Sequence, residues 1–203
     1  MRVALSLDDF SVANNRMDLL LKLKEHFPKF KVSLFTVPVD EKQDWGVYQN
    51  RKEALKLIKD NLDWMQLIPH GYKHRGSEFR NADYRYFKEV TLPAIEKAFK
   101  DDGLPYEKGF KAPHWRWSPG VVKALDEEGW WLATDPRQPN APRTKTYYDF
   151  SHGIDEPFWT SIRDLQLHGH IYGTRNDLGV CMKNLLKLPR DTEFVYVTNY
   201  LTQ

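Results

Sequence analysis

The chain has 203 residues, enough for one well-buried core and short for two. Hydrophobic residues make up 41% and charged residues 29%, and a net charge of +2 with Lys and Arg scattered among Asp and Glu speaks against a nucleic-acid partner. The single cysteine, Cys181, excludes an intrachain disulfide, and no apolar run reaches the roughly 18–20 residues of a membrane span.

Short apolar runs alternate with amphipathic stretches along the chain. Val3 to Leu7 predicts a strand, and Asn14 to His26 a helix with Met17, Leu20, Leu21 and Leu23 on its apolar side. A β-branched and aromatic strand is expected over Phe30 to Val37, a helix over Asn50 to Asn61 and a third strand over Met65 to Pro69. Tyr84 to Lys100 follows as a longer helix, then a strand at Gly109 to Pro113. Pro119 to Glu128 is a helix with proline in its first turn, and Trp130 to Thr134 is a fifth strand. Residues 136 to 160, rich in Pro and Tyr, predict a long excursion. Ile162 to Leu167 is then a strand, Asp177 to Leu188 a helix that buries Cys181, and Phe194 to Val197 a closing strand. Repeated strand–helix units imply parallel strands with helices outside, in a barrel or a doubly wound sheet. With no repeat, linker or low-complexity tract, residues 1–203 read as one domain. Met1-Arg2 leads directly into the first strand and Asp8-Asp9 interrupts any apolar segment, so no signal peptide and a cytoplasmic location are expected.

Chemistry collects at the strand ends. Asp8 and Asp9 close the first predicted strand, His70 follows the third with His74 four residues on, His114 follows the fourth, and His168 and His170 follow the sixth. In barrels the carboxyl ends of the strands converge on one mouth, where ligands bind. Carboxylates and imidazoles together suit a borderline divalent cation, zinc first among them. Two adjacent carboxylates further allow one to hold the cation while the other takes a proton. Adjacent aspartates can equally form a turn. If the chain turns helically after the third strand, the spacing of His70 and His74 puts both rings on one side, with Gly71 permitting a sharp exit. Strand parity sets Gln166, His168 and His170 on one face and Leu165 and Leu167 on the other. Lys111-Ala112-Pro113-His114-Trp115 packs a cation, a rigid proline and two rings into five residues, and Trp115, Trp117, Trp130, Trp131 and Trp159 give stacking surfaces for a planar or sugar ligand, or simply core.

These segments, in this order, resemble the polysaccharide deacetylases (carbohydrate esterase family four, the NodB homology domain). Ser6-Leu7-Asp8-Asp9 is similar to that family's aspartate pair, His70 to His74 to its His-x-x-x-His, and Leu165 to His168 to its Leu-x-x-His. The resemblance implies an α/β fold, a distorted and incomplete (β/α) barrel of about seven strands. It implies Asp8 as catalytic base, Asp9, His70 and His74 as metal ligands, an oxyanion-holding amide near His114, and His168 as the acid, with His170 competing for that role. Lys111 stands where the family has an arginine that braces the base, and His114 where it has Tyr or Phe; Lys111, His114 and Trp115 are expected to contact substrate. Asp135 offers a weak match to a further acidic position. The expected activity is metal-dependent removal of an N-acetyl or other N-acyl group from an amino sugar or related small molecule or oligosaccharide. One alternative is a barrel that binds carbohydrate or nucleotide without turnover. Another is an amidohydrolase or deformylase of the same fold acting on a non-sugar amide. Family members that act on cell walls are mostly exported, so an unexported one is expected to meet soluble precursors, or wall material after lysis, as a phage enzyme does. Nothing in the sequence sets the oligomeric state.

Overall fold

A computed structural model describes residues 1–40, 50–134, 146–148, 152–157, 163–173 and 176–201. Strand β1 (Arg2–Phe10) is the axis of the fold. Its alternation sends Val3, Leu5 and Leu7 to the main hydrophobic core, while Ala4 packs on the opposite face in a second, smaller cluster. Burial on both faces is the habit of parallel strands covered by helices, and every strand pair described is parallel.

Strand β2 (Val32–Thr36) lies beside β1, and β3 (Met65–Pro69) beside β2. On the other edge of β1 runs β8 (Asp164–His170), flanked by the two-residue β7 (His152–Gly153). The closing strand β9 (Glu193–Val195) pairs with Arg2 to Ala4, at the base of β1. A separate sheet holds β4 (Gly109–Lys111), β5 (Trp131–Thr134) and β6 (Thr146–Tyr148). A bridge between His70 and Lys111 joins the two sheets just past the end of β3. The strands therefore make one curved arc that, among the described residues, is not closed between β6 and β7. This is the incomplete barrel expected from the sequence. The two strands beyond the expected seven, β6 and β7, both lie in the stretch read as an excursion.

The inner cluster joins Ala4, Phe35, Ile68, Trp131, Ala133, Tyr147 and Val197. At Gly109 the Trp131 ring lies so close that a Cβ would sit 2.1 Å from it, so only glycine admits the indole at that level.

Helices α1 (Met17–His26), α2 (Arg51–Lys59), α5 (Pro119–Glu127) and α6 (Leu178–Leu185) each have a polar side chain that accepts from a first-turn amide. The side chain of Asn15 accepts from the Met17 amide, Asn50 from Lys52, Ser118 from Val121 and Asp177 from Gly179. The predicted helix over Tyr84 to Lys100 is interrupted. It begins as α3 (Tyr84–Tyr86), widens to a π turn over Phe87–Thr91 and resumes as α4 (Leu92–Asp102). The Leu92 amide reaches back to the Phe87 carbonyl immediately before Pro93, which has no N–H to continue an α ladder. No described helix is long and apolar enough to cross a membrane.

One boundary shift matters for function. The sixth predicted strand ends at His170 rather than Leu167, so His168 and His170 lie within β8 instead of beyond it. The strand pairs Ser6 with His168 and Asp8 with His170.

Candidate metal and catalytic site

Neighbouring residues of a regular strand face opposite sides, so Asp8 and Asp9 need an irregularity to share a cavity. The structure supplies it: the β1–β2 register shifts between Leu7 and Phe10, and Asp9 takes a φ of 65°, a left-handed conformation that aspartate tolerates better than most residues. Both carboxylates then approach one imidazole nitrogen, with His70 Nε2 3.9 Å from Asp8 Oδ2 and 3.5 Å from Asp9 Oδ1.

His74 reaches the same place by a different route from the one its spacing suggested. No helical turn follows β3; Gly71 and His74 both have positive φ. The loop is gathered around Glu78, whose carboxylate accepts from the amides of Tyr72 (2.9 Å), Lys73 (3.3 Å) and His74 (3.2 Å). A Cβ at Gly71 would lie 2.3 Å from Glu78 Oε1, so that turn depends on glycine. His74 Nε2 ends 3.1 Å from Asp9 Oδ1.

Asp9, His70 and His74 thus place one donor atom each within 4.8 Å of one another. The buried Asp9 Oδ1 has no hydrogen-bond partner among the described residues despite the two imidazoles beside it. His70 Nδ1–H donates to the Lys111 carbonyl at 3.0 Å, which leaves its lone pair on Nε2, facing Asp9. An outer-shell bond of this kind orients metal-binding histidines. A carboxylate and two imidazoles with an orphaned oxygen at their centre fit a zinc-like cation. Burial opposes charge on Asp9, but the imidazoles hold its carboxyl below the ordinary range. Burial likewise opposes the His70 cation, yet Asp8 and Asp9 push its pKa up, whereas burial and then His70 push that of His74 down.

Asp8 stands apart from this trio. Its Oδ1 accepts from Lys111 Nζ at 2.7 Å, and Lys111, only 1% exposed, lies beneath the Trp115 ring (4.0 Å to the centroid) and near Phe35 (4.6 Å). Burial raises the Asp8 pKa, but Lys111 and then His168 outweigh it and keep the carboxyl well below its usual range. The lysine expected to touch substrate is sealed under the indole and braces Asp8 instead. Removing it leaves a buried charge uncompensated, so Lys111→Met should cost about 3–5 kcal/mol at neutral pH. Because the Asp8 pKa is depressed by folding, the pair's contribution is complete above the unfolded carboxyl value near ~4 and fades as pH falls below it. Denaturant melts of parent and variant should therefore diverge at pH 7 and converge on strong acidification. Equal midpoints at pH 7 would contradict the pairing.

His168 and His170 line the other side of Asp8. His168 Nε2 is 4.0 Å from Asp8 Oδ2, and its Nδ1 lies 3.4 Å from Ser6 Oγ. That hydroxyl donates to the Leu167 carbonyl and so faces Nδ1 as an acceptor. His170 is held firmly: its Nδ1–H donates to Asn176 Oδ1 at 2.8 Å and its backbone amide to the Asn176 carbonyl at 3.1 Å. The rings are 5.0 Å apart, nearer than their separation along the strand alone implies. His114 and Trp115 occupy consecutive left-handed positions (φ 56° and 57°), a strained pair that turns the His114 ring to 5.7 Å from His74 and Trp115 to 6.3 Å from His168. Asp135 and Trp159 lie outside the described residues.

Several partners had no signal in the sequence: Glu78, Ser6, Asn176 and Asn14. The last lines a small cavity of about 30 Å³ beside Asp9 and His74, with Ser11 and Asp40. Asn14 is buried with neither amide atom hydrogen-bonded among the described residues.

No family model and no curated protein matches the sequence. Solved structures do. A family 4 carbohydrate esterase from Streptomyces lividans superposes with a TM-score of 0.61 at 12% identity, covering 100% of this chain and 96% of the other. A family 4 acetyl xylan esterase from Clostridium thermocellum, in complex with a cobalt ion, gives 0.60 at 16% identity over 98% and 90% of the two chains. A family 4 pseudoenzyme from Bacillus anthracis gives 0.58 at 13% identity over 98% of this chain and 64% of that one. The resemblance drawn from the aspartate pair and the spaced histidines is thus borne out in the backbone: the chain has the fold of the family 4 carbohydrate esterases, the polysaccharide deacetylase barrel.

Proposed function

We propose that this chain is a divalent-metal-dependent deacetylase that hydrolyses the N-acetyl, or a related N-acyl, group of an amino sugar. The observation that carries the reading is the orphaned oxygen of Asp9 between two imidazoles, beside a second carboxylate already tied to lysine. The fold of acetyl-removing enzymes, one of them determined with cobalt, supports the same chemistry.

Asp9, His70 and His74 would hold the cation. When bound, the cation supplies Lewis acidity, which stabilises a developing oxyanion and makes a nearby water more acidic. Asp8 has one oxygen committed to Lys111, so Oδ2 is the atom that takes the proton from water. The hydroxide adds to the acyl carbon, the carbon–nitrogen bond breaks and the amine leaves with a proton. His168 is positioned to deliver that proton from Nε2, since its other nitrogen faces Ser6. The Trp115 amide is committed to the Ala112 carbonyl, so of the two left-handed residues the His114 amide is the candidate oxyanion donor. Three protein ligands leave coordination positions open, as a catalytic rather than structural zinc needs.

A carbohydrate- or nucleotide-binding barrel without turnover is the alternative, and the pseudoenzyme neighbour gives it a precedent in the fold. Against it, Lys111, which stands where the family has arginine, keeps a charge pair with Asp8 at 2.7 Å. Release of acetate from a panel of N-acetylated amino sugars and oligosaccharides, abolished by chelation and restored by zinc or cobalt, tests the proposal. No release from any sugar, with cation bound, would favour the binding barrel; release only from non-sugar amides would favour an amidohydrolase.

The two histidines of β8 separate in the same assay. His168→Ala should lower kcat by at least ~10² with cation retained, whereas His170→Ala should mainly raise KM. Turnover lost in His170→Ala and kept in His168→Ala would move the proton donor two residues along.

A further inference from the structure

Asp8, His168 and His170 form a second set of donors, with one atom from each lying within 4.8 Å of the others, as also holds for the Asp9 trio. The two sets adjoin at Asp8 Oδ2, which stands 3.9 Å from His70 Nε2 and 4.0 Å from His168 Nε2. Both β8 histidines have Nδ1 occupied by an oxygen, from Ser6 in one case and Asn176 in the other. Their neutral rings therefore carry the lone pair on Nε2. For His170 the carboxamide bond is short and the backbone is fixed by the same asparagine, an outer-shell support of the kind that metal-binding histidines use. A lone proton donor does not require a second imidazole held this way.

We propose that Asp8, His168 and His170 are a second, weaker divalent-cation site, filled after the first, and that filling it stops the reaction by occupying the base and the acid together. The inference rests on the reading of Asp9, His70 and His74 as the first site. Its donors, two imidazoles and one carboxylate, select zinc or cobalt over magnesium or calcium, which favour oxygen. Its weakness follows from charge: Lys111 Nζ is 2.7 Å from the other oxygen of the same carboxylate, and an occupied first site adds a second repelling cation.

Calorimetric titration of cobalt into the chelator-stripped full chain tests this without reference to turnover. The parent should give two binding events, the second at least ~10-fold weaker, as a neighbouring like charge implies. His170→Ala should lose the weak event and keep the tight one, which also reports that the variant is folded. Asn176→Ala should weaken only the second event, by ~10–100-fold, the usual effect of losing an outer-shell partner. Magnesium should produce no weak event. A single event in the parent, or a second event unchanged in His170→Ala, would overturn the proposal. Absence of the tight event would instead count against the first site.

Discussion

Asp8→Asn should keep the cation and lose roughly 10²–10⁴-fold in the proposed deacetylation rate, the usual scale for a missing general base. The asparagine is nearly the same shape, so the cavity stays filled, and it cannot take a proton from water. The expectation is specific because Asp8 Oδ1 is tied to Lys111 while Asp9, not Asp8, lies within 3.5 Å of both His70 and His74. Cation content measured on the purified variant, beside its rate of acetate release, separates the roles. If Asp8→Asn loses the cation and Asp9→Asn retains it, base and ligand must be exchanged.

His74→Ala has the opposite signature. Deleting a direct ligand should weaken cation binding by at least ~10³-fold, beyond the 10–100-fold of an outer-shell partner. A ligand that binds only the folded state stabilises it by about 4 kcal/mol at a thousandfold excess over its Kd. The rise in Tm that zinc gives the parent should therefore vanish in His74→Ala, while the two proteins melt alike in chelator. His74 is partly exposed, and its loop is held by Glu78 through backbone amides rather than through the imidazole. Equal cation content in variant and parent would remove His74 from the ligand set.

The strands that build the site were legible because each is a short apolar run bounded by polar residues, and Met65 to Pro69 was placed to the residue. The convergence of Asp8, Asp9, His70 and His168 followed from their places at strand ends once the strands are read as a barrel. What the sequence could not carry was backbone irregularity and partner choice. The bulge that turns Asp9 beside Asp8 leaves no pattern in Asp-Asp-Phe, and the His70–His74 spacing suits a helical turn as well as the loop that Glu78 gathers. Lys111 was expected at the substrate because its strand position says nothing of the indole that covers it. Nothing next to His170 in the sequence points to Asn176, which holds its ring and its amide from beyond the strand. Strands β6 and β7 are three and two residues long, too short for alternation to register.

The most direct test of the central claim is a titration of the chelator-stripped protein with zinc while acetate release from an N-acetylated amino sugar is followed. The account predicts no release without cation, a linear rise that peaks at one equivalent per chain, and a flat, near-zero response throughout in His74→Ala. Release that persists in chelator, or a His74→Ala protein that responds like the parent, would contradict it.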